Sequence, residues 1–175
     1  MSKNKRIAIL ATNGFEQSEL MEPREKLKAA GFTVDVVSPE SGSIRGWKGK
    51  DWGESVDVDV KLSSAKAQDY DALVLPGGVI NPDQLRINKE ALDFVRSFDA
   101  EKKPIAAICH APWLLAETGI AKGRDLTSWP SVRTDVENAG GRWQDKEVVV
   151  DGNLITSRKP DDIPAFNQAI ISSLG

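Results

Sequence analysis

Lys103-Pro-Ile-Ala-Ala-Ile-Cys109-His110-Ala111-Pro112-Trp-Leu-Leu115 sets an apolar strand, a cysteine, a histidine, a small residue and a helix-starting proline in immediate succession. That order predicts a strand-to-helix elbow. Such a turn pushes its central side chain out at the C-terminal end of the strand, where open α/β sheets keep their sites. The N-terminus of the following helix points amide dipoles at the sulfur, which favours thiolate. Cys109 is therefore the candidate nucleophile. The alternative is a buried small hydrophobe, which is how most free cysteines behave.

Outward from the elbow, apolar runs alternate with helical patterns. On the N-terminal side, Arg6–Ala11 reads as a strand ended by Thr12-Asn13-Gly14. Glu19–Ala30 reads as a helix begun or kinked at Pro23 and stopped by Gly31, and Phe32–Val37 as a second strand. Ser38–Gly53, with four glycines and two tryptophans, reads as a long loop or irregular hairpin, and Val56–Leu62 as one strand with a wet face. Trp47 and Trp52 are given no role. Asp71–Leu75 is a buried strand running into Pro76-Gly77-Gly78, and Asn88–Ala100 a helix.

Beyond the elbow, an extended piece at 126–128 precedes a helix through Asn138 capped by Ser131. A hairpin follows, Val148–Val150 and Leu154–Thr156 about Asp151-Gly152-Asn153, and then a last helix through Ile171 capped by Asp161 or Asp162. Strands alternating with helices predict an α/β fold, one domain over residues 1–175, whose mostly parallel sheet is covered on both faces.

Composition narrows the function classes. The chain has 175 residues, a formal charge of −3, and is 40% hydrophobic and 28% charged. Nothing in that balance recommends nucleic acid or an anionic membrane as partner. The apolar run after the basic Met1–Arg6 is too short for a signal peptide or a membrane span, so a cytoplasmic location is expected. One cysteine and one histidine disfavour a zinc site, and no metal or cofactor is expected. A lone cysteine excludes an intrachain disulfide and directs attention to thiol chemistry.

Other chemistry-bearing residues leave from the same sheet edge as Cys109. Glu16 and Glu19 follow the first strand and project together from one helical turn. One of them reaches the thiol on this reading, and a carboxyl buried there keeps its proton, hydrogen-bonds the sulfur or shuttles a proton. Gly77 or Gly78 lets the backbone approach a ligand, so either amide, with that of His110, is a candidate oxyanion hole. His110 itself is expected to point away from the thiol, because neighbours on a turn usually diverge.

Together these segments resemble the DJ-1/PfpI superfamily, specifically its PfpI-like branch of general stress proteins and intracellular proteases. The resemblance rests on Phe15-Glu16-x-x-Glu19-Leu20, Asp71-Ala-Leu-Val-Leu-Pro-Gly-Gly78, Ala107-Ile-Cys-His-Ala-Pro112, and Glu147–Asn153 leading into Thr156–Phe166. It covers essentially the whole chain. It implies a flavodoxin-like three-layer α/β/α sandwich, Cys109 as nucleophile, and Glu19, rather than Glu16, as the acid beside it. It also implies self-association, with Asp83 in Asn81-Pro-Asp-Gln-Leu-Arg86 completing the His110 of a neighbouring subunit. Ala111 departs from the glycine that many relatives carry.

Relatives are described as peptidases, as glutathione-independent glyoxalases and as deglycases. Small 2-oxoaldehydes or glycated adducts rank first here, because a thiol, one acid and backbone donors suit attack on an aldehyde. A peptidase also has to protonate a leaving amine. A redox sensor, with Cys109 oxidised beside Glu19, uses the same residues. A glutamine amidotransferase is disfavoured, since no distant histidine exists to serve as base.

Overall fold

The computed structural model describes residues 4–175, so Met1 to Lys3 lie outside it. In chain order the strands and helices are β1 (Arg6–Leu10), β2 (Phe15–Glu16), α1 (Gln17–Ala29), β3 (Thr33–Ser38), β4 (Ser43–Lys48), β5 (Asp51–Asp57), β6 (Val60–Lys61), β7 (Ala72–Leu75) and α2 (Ile80–Leu85). They continue with α3 (Lys89–Ala100), β8 (Ile105–Ile108), α4 (Trp113–Thr118), β9 (Asp125–Leu126), α5 (Arg133–Asn138), β10 (Arg142–Trp143), β11 (Val149–Asp151), β12 (Leu154–Ser157) and α6 (Ile163–Ser173).

Seven strands form the main sheet in the order β11-β12-β8-β7-β1-β3-β6. All pairings are parallel except β11 with β12, the hairpin at one edge. β7 and β8, and β1 from Ile7 onward, are apolar at every position because both faces are covered. Ala8, Leu10, Leu73, Leu75, Ile105 and Ala107 face one core with Phe94, Phe98 and Leu115 from α3 and α4. The alternate residues Ile7, Ile9, Val74, Ala106 and Ile108 face the other core with Leu20 and Leu27 of α1 and Phe166 and Ile170 of α6. The result is the expected three-layer α/β/α arrangement.

Several local expectations are corrected. Of the two readings given for Ser38–Gly53, the irregular hairpin is the one that forms. The segment supplies β4 and the start of β5, an antiparallel hairpin whose register shifts between Arg45 and Trp47, and β4 pairs in parallel with β2. The strand expected over Val56–Leu62 breaks after Asp57, because Asp59 turns its carboxylate to the Val36 amide, 2.7 Å away, and carries the chain back to β3 as β6. Pro23 lies inside α1, which already begins at Gln17. Neither expected cap forms: the Ser131 hydroxyl faces His110, and the Asp162 carboxylate accepts from Arg158 instead of from α6.

Candidate active site

Three parallel strands, β1, β7 and β8, deliver their C-terminal ends side by side, and each continues into a segment of the site. After β8 the chain enters Cys109 with φ of 66°, a left-handed conformation that a side chain other than glycine's seldom adopts. Backbone bonds hold it there: the Cys109 amide donates to Ser157 O at 3.1 Å, and its carbonyl accepts from the Trp129 amide at 2.8 Å. The elbow predicted from sequence is present, and its cysteine is 6% exposed.

After β7, Pro76-Gly77-Gly78 passes close beneath the thiol. A Cβ on Gly77 would sit 2.6 Å from each of Cys109 Cβ, Glu19 Oε1 and Ile108 O. Gly78, with φ of 82°, would meet Gly14 O at 2.6 Å and Glu16 N at 2.7 Å. Asn81 of α2 fixes this turn: its side chain donates to Pro76 O and Gly77 O at 3.0 and 3.1 Å and accepts from the Thr12 amide at 2.8 Å. Sequence reasoning passed over Asn81, since Asn-Pro reads as a turn signal and not as the start of a short helix.

The two glycine amides divide their work. Gly77 donates to Glu19 Oε1 at 3.0 Å, so it is turned away from the sulfur. The Gly78 and His110 amides face Cys109. Of the alternatives left open by the sequence, the Gly78 amide is the one near a reacting atom.

Glu19 comes from the first turns of α1 and is fully buried. Its Oε2 has no hydrogen-bond partner among the described residues. Loss of hydration, reinforced by the negative charge of Glu16, pushes its pKa up to about 8, against the pull of the Gly77 amide. Glu19 therefore holds a proton at neutral pH. Glu16 is half-buried at the mouth, and burial raises its pKa as well.

Burial also pushes the Cys109 thiol up, Glu19 adds to that, and the two facing amides offset it only in part. Burial thus works against the thiolate that the N-terminus of the six-residue α4 favours. His110, expected to diverge, instead brings Nδ1 to 3.2 Å from Cys109 Sγ. Burial lowers the histidine's pKa, so a neutral imidazole faces the thiol. The ring stacks on Trp129 with centroids 6.0 Å apart, meets Trp113 edge-on at 5.0 Å, and has Nε2 3.5 Å from Ser131 Oγ.

A cavity of about 460 Å³ opens over Cys109, walled by Trp47 from the β4–β5 hairpin, Trp129, Val79, Ile80 and Pro160. Trp47 and Trp52 pack edge to face at 5.4 Å. Asp83 does not join this site within the chain; it lies exposed on α2. Among the described residues no three His, Cys, Asp or Glu side chains are grouped to hold a metal ion, and no helix is long and apolar enough to cross a membrane.

A doubly covered parallel sheet with a cysteine on a strained elbow, a protonated acid beside it and a Gly-Gly turn beneath defines the cysteine-elbow class of α/β proteins. Within that class the chain belongs to the DJ-1/PfpI family, which matches residues 5–173. It is 41% identical over 169 residues to a protein named Deglycase PfpI from Pyrococcus furiosus, covering 97% of this chain and 99% of that one. A provisionally named cysteine protease of Bacillus subtilis, YraA, is 42% identical over 171 residues, covering 98% and 99%. The crystal structure of Drosophila melanogaster DJ-1beta superposes with a TM-score of 0.89 at 32% identity, covering 98% of this chain and 91% of that one.

Proposed function

We propose that the protein is a cysteine-dependent enzyme of reactive carbonyls, acting on 2-oxoaldehydes such as methylglyoxal and on the early adducts they form with amines. The observation that carries this reading is Glu19: a buried carboxyl that keeps its proton at neutral pH, placed beside the only thiol. An aldehyde-processing thiol enzyme needs a proton held and returned at the carbon next to sulfur, and a group with a pKa near the working pH does this best.

Neutral His110 Nδ1 takes the thiol proton as Sγ attacks the aldehyde carbon, and the carbonyl oxygen gains its charge facing the Gly78 and His110 amides. Glu19 gives its proton to that oxygen, which forms the hemithioacetal and leaves Glu19 ionised. Ionised Glu19 removes the hydrogen from the former aldehyde carbon, and the resulting enediol takes a proton back at the adjacent carbon, leaving a lactoyl thioester. Water cleaves the thioester to lactate and restores the thiol, so one methylglyoxal and one water give one lactic acid. In an early hemiaminal adduct the sulfur displaces the amine at the same carbon, the amine leaves with the proton taken up by His110, and the same hemithioacetal results.

Asp83 fits this scheme as a residue of a second copy, reaching the far side of His110. The exposed apolar side chains Val79 and Ile80 beside the mouth, and Ile87 at 84% exposure just beyond α2, supply a surface for that copy. Peptide cleavage is the second reading, favoured by the His110–Cys109 contact, since an imidazole protonated in the first step can protonate a leaving amine.

Methylglyoxal loss and lactate formation in amine-free buffer test the proposal. Wild type forms lactate, Cys109→Ala forms none, and Glu19→Gln falls by about 10²-fold or more, the usual scale for a lost acid–base group. Lactate formation undiminished in Cys109→Ala overturns the proposal; peptide hydrolysis without lactate formation favours the second reading.

A further inference from the structure

The lining of the cavity over Cys109 is one-sided in charge. Glu16 and Glu19 are its charged residues, and neither Lys nor Arg is among the described residues that line it. Lys48 and Lys50, either side of the lining Gly49, are exposed and stand outside it. Glu19 keeps its proton, which leaves Glu16 as the anion at the mouth. The perturbation of Glu16 comes from burial, with no compensating cation, and its charge reaches Cys109. Trp47 and Trp129 line the same cavity, and indole rings attract cations.

We infer that this cavity filters carbonyl compounds by charge, admitting neutral carriers and those bearing an ammonium or guanidinium group while rejecting those with a phosphate or carboxylate close to the carbonyl. Glu16 and Trp47 are the residues that set the selection. The inference rests on the proposed use of Cys109 and names its substrate class: free oxoaldehydes and adducts on lysine or arginine side chains pass, whereas 2-oxo acids and adducts on nucleotides do not. The oxyanion formed at the carbon under attack already draws on the Gly78 and His110 amides, so a second negative charge has no donor left to meet it. Glu16 then opposes it directly.

Two thiol reagents of similar size and opposite charge test the filter without turnover: (2-trimethylammonioethyl) and (2-sulfonatoethyl) methanethiosulfonate. In each, the Cys109 sulfur attacks the sulfenyl sulfur, a disulfide forms and methanesulfinate leaves with the electron pair. With rates normalised to those of the uncharged thiol 2-mercaptoethanol, the cationic reagent is expected to modify Cys109 about tenfold faster than the anionic one, the scale of one partly screened charge. Glu16→Gln lowers that ratio several-fold, and Trp47→Ala slows the cationic reagent more than the anionic one. Raising the salt concentration with wild-type protein shrinks the ratio, so the test does not depend on any variant folding. A normalised ratio near one in wild type, or a ratio untouched by Glu16→Gln in a folded variant, overturns the filter. A ratio that holds while methylglyoxal gives no lactate keeps the filter and removes the carbonyl reading, so the two fail separately.

Discussion

Replacing Glu19 by glutamine should make the protein more stable and less active, and the gain should depend on pH in a calculable way. The acid titrates near 4.5 in the unfolded chain and about 8 in the fold. The unfolded chain therefore releases a proton that the folded state keeps. Wild-type stability is unaffected by this group below pH 4.5, falls by about 1.4 kcal/mol per pH unit through the window and levels off above pH 8. The accumulated cost is about 3 kcal/mol at pH 7 and about 5 kcal/mol above pH 8. The substituted glutamine retains an acceptor for the Gly77 amide and has no proton to lose. The difference in unfolding free energy between variant and wild type should thus widen from pH 5 to pH 8. Urea denaturation followed by tryptophan fluorescence at pH 5, 6, 7 and 8 measures it. His110, whose pKa is lowered by burial, contributes a slope of opposite sign near its unfolded pKa of 6.5, but it is present in both proteins and largely drops out of the difference. A difference that stays flat across this range refutes the reasoning about Glu19.

Two further substitutions probe the surroundings. Gly77→Ala places a methyl 2.6 Å from Cys109 Cβ, Glu19 Oε1 and Ile108 O, two of them fixed by the elbow and by β8. It should cost about 1–3 kcal/mol in denaturation experiments and abolish lactate formation by displacing Glu19. Asp162→Ala removes the carboxylate that holds the Arg158 amide and Nε at 2.9 Å each and Nη2 at 3.1 Å. That should cost about 2 kcal/mol and, by loosening the turn that carries Pro160 to the cavity, raise KM more than it lowers kcat.

Legibility from sequence followed burial. β7, β8 and β1 beyond Arg6 are readable because strands covered on both faces must be apolar where they are buried, and the elbow because a cysteine between such a strand and a proline permits few other shapes. The β4–β5 hairpin was harder, since it stands largely in solvent and its glycines and charges satisfy a loop just as well. α2 was missed because Asn81 and Pro82 carry turn preferences; what recruits Asn81 is the need of the Pro76 and Gly77 carbonyls for donors, which only the fold reveals. The Cys109–His110 contact went unread for a local reason. Divergence of adjacent side chains is a rule of extended backbone, and the left-handed φ at Cys109 suspends it. At the thiol, the helix dipole can be inferred from element order, whereas the burial that opposes it is visible only in the fold.

The β4–β5 hairpin is anchored at its base by its pairing with β2, by Ile44 and Val56 in the core beneath α1, and by the side chains of Asn13 and Gln17, while its tip brings Trp47 to the cavity wall. This separates two kinds of evolutionary change. Substitutions in the seven-stranded sheet, and at Ile44 and Val56 of the hairpin, are judged by core packing, but substitutions at the hairpin's exposed tip are judged mainly by which molecules still arrive at the sulfur. One inherited scaffold can therefore diversify in diet while its chemistry stays under the protection of the core.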